Sequence, residues 1–197
     1  MIDTFTGHIA GLGTASGVRI VVGVWNQSRF GSFADVMVED AVGHRTLLAP
    51  RQEVADFVAS TYTFDEVRIE PVSVEPGAEW SVHTRSLQLR FTPGGRLWVG
   101  PLLGMVPAPL RRSATWAKVC NPIAGRLMPG VQTYGTAGGG RTEWYAARDV
   151  HRLAAARATW EGEELGALAP VMPPVRFGFA SAPAEPTLTE LTSYVRG

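Results

Sequence analysis

Three β-rich runs in succession, each closed by a short turn-forming cluster, constrain this chain more than any other feature. The first is Gly17-Val18-Arg19-Ile20-Val21-Val22-Gly23-Val24-Trp25, turned by Asn26 to Ser32. Phe33 to Glu39 follows, turned around Ala41-Val42-Gly43, and His44 to Leu48 returns and ends at Pro50. Short runs bounded by turn residues predict an antiparallel meander. Val18 to Trp25 is apolar apart from Arg19, as in a central strand covered on both faces. In Phe33 to Glu39, Ala34, Val36 and Val38 form the better core face, while Phe33, Asp35, Met37 and Glu39 form the other.

The rest of the chain repeats this β character, with two exceptions. Thr4 to Ser16 holds a first strand around Gly7 to Gly11. Its Gly11-Leu12-Gly13 does not continue the spacing of a dinucleotide loop, and no helix pattern follows. Glu66 to Val74 alternates; Trp80 to Thr84 and Leu87 to Thr92 read as two further strands, or as one long strand with a kink near Arg85-Ser86. Leu87 to Thr92 has Leu87, Leu89 and Phe91 on one face, and Pro93-Gly94-Gly95 closes it. Val175 to Phe179 and Leu188 to Val195 read as short late strands. Residues 141–160 read as strand, with helix as the alternative; at period two their core face is Trp144, Ala146, Val150, Ala154, Ala156, Ala158 and Trp160. The exceptions are a helix over 51–61, where Val54, Phe57 and Val58 make one apolar stripe, and an apolar, proline-punctuated insert over about 97–130 with helices expected at Leu110–Val119 and Asn121–Leu127. The expected fold is mainly β: a single domain, 1–197, built on an antiparallel curved sheet or a calycin-like barrel that removes its own edges.

Composition narrows the function classes. A formal net charge of zero with 18% charged residues does not favour nucleic acid as a partner, no basic run being longer than Arg111-Arg112, and near-neutrality favours self-association, so a homodimer is an expected partner. Cys120 is the one cysteine, which excludes a disulfide framework within the chain and gives no support for an oxidising compartment. Met1 to Phe5 lacks the basic and long apolar segments of a signal peptide. Leu97 to Leu110 is too short to span a membrane and is broken by Pro101, Pro107 and Pro109. A cytoplasmic protein without a membrane span is the expectation.

Chemistry-bearing residues are sparse. His8, His44, His83 and His151 are too far apart for a short-spaced metal motif, and neither metal nor cofactor is expected. Lys118, the sole lysine, lies in Trp116-Ala117-Lys118-Val119-Cys120. Buried, it would have a depressed pKa and could form a Schiff base; the ordinary reading is a surface lysine, and Cys120 reads as a small core residue. The densest cluster is Arg141, Glu143, Trp144, Tyr145, Arg148, Asp149 and His151. On a strand, Arg141, Glu143, Tyr145, Asp149 and His151 share one face and are the candidate ligand-binding residues. Lining a barrel interior, that row would orient the polar group of an apolar ligand, or use a carboxylate beside a histidine for acid–base work. On the outside it would be a solvated row worth little, and the more apolar opposite face argues for that placement.

Phe33-Ala34-Asp35-Val36-Met37-Val38-Glu39, Leu47-Leu48-Ala49-Pro50, Thr63-Phe64-Asp65-Glu66-Val67 and Glu143-Trp144-Tyr145-Ala146-Ala147-Arg148-Asp149 resemble proteins of high-GC actinobacterial genomes that carry no assigned activity, so the resemblance transfers no catalytic residue. The architecture and the Trp-Tyr/Arg-Asp segment are similar to lipocalin-like barrel enzymes of isoprenoid chemistry, an analogy of fold. Three functions are open: a barrel holding a small apolar ligand, an enzyme acting on a lipid-like substrate, and a structural, self-associating protein.

Overall fold

The computed structural model describes residues 1–127, 131–179 and 182–197; the last three residues of the expected 97–130 insert lie outside these. The chain opens with β1 (Ile2–Thr14), β2 (Arg19–Gln27), β3 (Phe33–Glu39) and β4 (Arg45–Ala49), then α1 (Gln52–Ala59). After it come β5 (Glu66–Ile69), β6 (Ser73–Glu75), β7 (Trp80–His83) and β8 (Leu87–Arg96). Three helices follow, α2 (Val99–Met105), α3 (Ala108–Arg111) and α4 (Ala114–Leu127). The remaining strands are β9 (Tyr134–Thr136), β10 (Thr142–Trp160), β11 (Glu163–Glu164), β12 (Leu168–Ala169) and β13 (Thr187–Arg196).

One sheet gathers them in the order β5-β4-β3-β2-β1-β13-β10-β8-β7-β6, with β9 and β11 paired to β10 and β12 to β1. Its end strands, β5 and β6, are consecutive in the chain and joined only by residues 70–72. Four Cα steps reach at most about 15 Å, so the sheet has to curl until its two ends are neighbours. No ladder joins β5 to β6 among the described residues; side chains bridge the opening instead. Arg68 donates to Ser86 Oγ at 3.2 Å, Ser86 Oγ donates to Glu70 at 3.0 Å, and the Arg68 guanidinium lies 5.4 Å from the Trp160 ring centre. The result is a curled, open half-barrel.

Both faces of the sheet are covered. The concave face gathers residues from strands at both ends, including Leu12, Ile20, Val22, Val36, Leu48, Val82, Leu87, Leu89 and Phe91, all almost fully buried. On the convex face Phe5, Val21, Phe33, Met37 and Leu47 pack against Val54, Phe57 and Val58 of α1 and against Val171 and Phe177. The stripe expected of that helix is the one it buries. The covering segment can approach because β1 carries Gly13, where a Cβ would collide with the Pro170 carbonyl oxygen.

Several expectations are corrected. The first strands are antiparallel, but β4 and β5 run parallel, with α1 as the crossover such a pair requires. Glu66 to Val74 is two strands at opposite ends of the sheet, broken at Glu70-Pro71. All of β3 is buried, not one face of it. Pro93-Gly94-Gly95 does not end β8, which runs on to Arg96 past register shifts opposite Leu153. Leu110–Val119 and Asn121–Leu127 are replaced by α3 and a continuous α4 with Pro122 inside it. Val175 to Phe179 forms no strand: Pro173-Pro174 lack the donors a ladder needs, and the segment serves as cover. Residues 142–160 are strand, ending in a two-residue turn at Glu161-Gly162, both at positive φ.

Candidate functional site

The convex face holds two neighbouring cavities beneath the helices. The first, about 50 Å3, lies between the sheet and α1; the second, about 130 Å3, lies between the sheet and α2 and α4. Ile9 and Tyr145 line both. The first is walled by Phe5, Val21, Phe33, Met37, Phe57 and Val58, the second by Val99, Leu103, Ala124, Ala147, Val150 and Leu191.

Strand periodicity sets the polar end of the first cavity. Glu143 and Tyr145 are two residues apart on β10 and so share a face, and Ser193 on β13 is the direct partner of Tyr145. Tyr62, just past α1, completes the group. Tyr62 Oη donates to Glu143, at 2.9 Å from Oε1 and 2.7 Å from Oε2. Ser193 Oγ donates to Oε1 at 2.8 Å, and the two tyrosine hydroxyls are 3.3 Å apart. Only 2% of Glu143 is exposed. Burial pushes its carboxyl pKa up, against the bonds from Tyr62, Ser193 and Tyr145. Burial, and then the Glu143 charge, hold Tyr62 and Tyr145 well above the ordinary tyrosine value, so both stay neutral donors.

Asp35 is a second buried carboxyl on the same wall. It lies opposite Gly23 on β2 and accepts from Trp25 Nε1 at 2.9 Å. A Cβ at Gly23 would come 2.6 Å from Asp35 Oδ1 and 2.7 Å from Trp25 Nε1, so the glycine makes room for this bond. Burial pushes Asp35 up to about 7, with the Trp25 bond pulling the other way.

The five expected site residues do not form one row. Glu143 and Tyr145 line the first cavity. Arg141 stands beside it, donating to Ser60 Oγ at 2.7 Å and Thr61 Oγ1 at 3.1 Å with its guanidinium 5.3 Å from the Phe57 ring centre; it ties β10 to the end of α1. Asp149 and His151 point to the opposite face. Between Ala147, paired with Leu191, and Asp149, paired with Glu190, β10 carries one extra residue, a bulge that reverses the alternation beyond it. The two line a separate groove with His8, Trp80, Pro93, Leu188 and Glu190. There Asp149 accepts from Arg96 Nε at 2.6 Å and lies 3.5 Å from His151 Nε2. Burial works to raise Asp149, but the Arg96 and Val150 N–H bonds and nearby cations outweigh it, and the net shift is downward. That bulge and the register shifts against β8 around Leu153 undo the period-two core face of β10: Leu153 is buried and Ala154 exposed.

Trp25, Asp35, Tyr62 and Ser193 were not anticipated. Asp35 had a signal, a carboxylate on one face with Phe33 and Met37; Tyr62 and Ser193 had none. Lys118 is exposed, with Nζ 6.0 Å from the Tyr134 ring centre. Among the described residues no group of three or more His, Cys, Asp or Glu is arranged to hold a metal ion, and no helix is long and apolar enough to cross a membrane.

No protein-family model matches the chain, and no curated protein matches it. Among solved structures, a Nitrosomonas europaea protein provisionally described as AttH is similar to it at 11% identity with a TM-score of 0.29. The match covers 99% of this chain, which spans about half (50%) of that one.

Proposed function

We propose that the protein binds a small, mostly apolar molecule bearing one polar group, held between the convex face of the sheet and its helices. The observation that carries this reading is the pairing of apolar walls with a buried polar group, Glu143 with Tyr62, Tyr145 and Ser193, in the first cavity, whose Tyr145 also lines the second. Sites for small molecules are largely apolar with a few convergent polar groups that fix orientation. The concave side is filled by its own core, so the ligand expected inside a barrel is assigned to the other face. Tyr145 is placed to donate to the ligand's oxygen, since its wall belongs to both cavities.

Displacement of 1-aminoanthracene fluorescence tests this. Octan-1-ol is expected to displace the dye more strongly than octane, Tyr145→Phe to erase that preference, and Ala147→Trp, filling the larger cavity, to weaken both at least about ten-fold. Unchanged displacement in Ala147→Trp contradicts the assignment.

The buried Asp35 supports a second reading, an enzyme that moves a proton on an apolar substrate, because a carboxyl held near pH 7 is matched to acid–base work. Incubation with the bound molecule in D2O would then place deuterium on a ligand carbon, and Asp35→Asn would retain the ligand but lose the exchange.

A further inference from the structure

We infer that the outer face of the α2–α4 insert is a docking surface for an anionic lipid bilayer. A helix apolar on both sides requires apolar cover on both, and here the inner cover is present: Val99 and Leu103 of α2 and Ala124 of α4 line the cavity above the sheet. The opposite face lies open. Trp98, Leu102 and Met105 recur at helical spacing along α2, with Trp98 60% and Met105 70% exposed. On α4 the exposed positions up to Arg126 are Thr115, Lys118, Val119, Pro122, Ile123, Gly125 and Arg126, one face at i, i+3, i+4, i+7, i+8, i+10 and i+11.

Charge names the occupant. None of residues 80–142 is acidic, whereas the insert carries Arg111, Arg112, Lys118 and Arg126. Among the described residues none of these four forms an ion pair. A solvated helix face mixes both signs; this one mixes aliphatic and aromatic side chains with cations alone. That is the composition of a helix lying in a membrane interface, its apolar side chains among the acyl boundary and its cations against anionic headgroups. A two-fold contact between copies would set this patch against itself and bring like charges together, so a second copy is the poorer occupant. The inference stands without the cavity's being filled, because vesicle binding is read with no ligand.

The test is flotation with vesicles of phosphatidylcholine alone and of phosphatidylcholine with one-quarter phosphatidylglycerol, beside light scattering of the protein alone. The chain is expected to float with the anionic vesicles and to stay down with the neutral ones. Lys118→Gln with Arg126→Gln is expected to weaken binding roughly thirty-fold, at about five-fold per cation. Met105→Asp and Ile123→Asp, on separate helices and at exposed positions, should each weaken it at least about ten-fold with unchanged circular dichroism. Failure of the wild type to float overturns the inference. So does flotation that these variants leave intact, or a dimer in solution that they dissociate, which would make the face a self-interface.

Discussion

Asp35 links a single side chain to a measurable pH dependence. In the folded chain burial holds its pKa at about 7; in an unfolded chain it ionises near the ordinary value of about 3.9. Between these two values the folded state keeps a proton that the unfolded state has lost, so its contribution to stability falls as pH rises through that window. Below the window the carboxyl is neutral in both states and carries no penalty; above it the penalty is complete, roughly 4 kcal/mol. Asp35→Asn keeps an acceptor for Trp25 and removes the titration. Relative to wild type it should gain stability between pH 5 and pH 8 by urea denaturation, and parallel pH profiles would contradict the assignment. Arg19 and Glu39 make a second residue-scale case. They are direct partners on β2 and β3, both buried, with Arg19 Nη2 3.0 Å from Glu39 Oε1 and Arg176 Nε 2.9 Å from the same oxygen. Arg19→Met strips a buried carboxylate of its buried partner and should cost about 3 kcal/mol, with most of that recovered in Arg19→Met/Glu39→Leu. A double variant as unstable as the single one would show that packing, and not charge, is lost. Arg19 could be seen in the sequence as the odd residue of an apolar run; its partner could not, because pairing between β2 and β3 is set by register.

At the scale of elements, the bulge in β10 decides which side chains meet. Arg148 is the extra residue; its side chain is exposed and pairs with Glu190 at 3.1 Å. Arg148→Ala keeps the backbone and should change stability by no more than about 0.5 kcal/mol. Deleting Arg148 restores strict alternation and turns either Glu143 and Tyr145 or Val150 to the wrong face, and should cost at least about 3 kcal/mol. A deletion variant with a wild-type thermal midpoint would show that the bulge is dispensable. The same residue marks how far the sequence could be read. Alternation and turn residues located most strands, with Leu87, Leu89 and Phe91 as the buried face of β8, and the apolar stripe located α1. Alternation is a local signal, however, and a bulge is visible only against a partner strand. Alternation alone therefore puts Asp149 and His151 with Glu143 and Tyr145, and the bulge separates them. The parallel pairing of β4 with β5 was hidden for a related reason: the sequence shows a helix between two strands but not the sheet edge to which the second returns.

For the whole molecule, the choice between a barrel interior and a solvated exterior was incomplete. The sheet curls around a filled core, and its outer face is covered in turn by α1, by the insert and by the segment around Phe177. A polar row on the outside of such a sheet is neither in a barrel nor in water. It is buried under helices, where two carboxyls can be held with raised pKa values beside apolar cavities. Native mass spectrometry of the purified protein, followed by mass spectrometry of its organic extract, tests that account most directly. It predicts an apolar molecule with one polar group, bound one to one, present in the extract of the wild type and missing from that of Ala147→Trp. An unliganded mass with an empty extract, the same for both proteins, would contradict it.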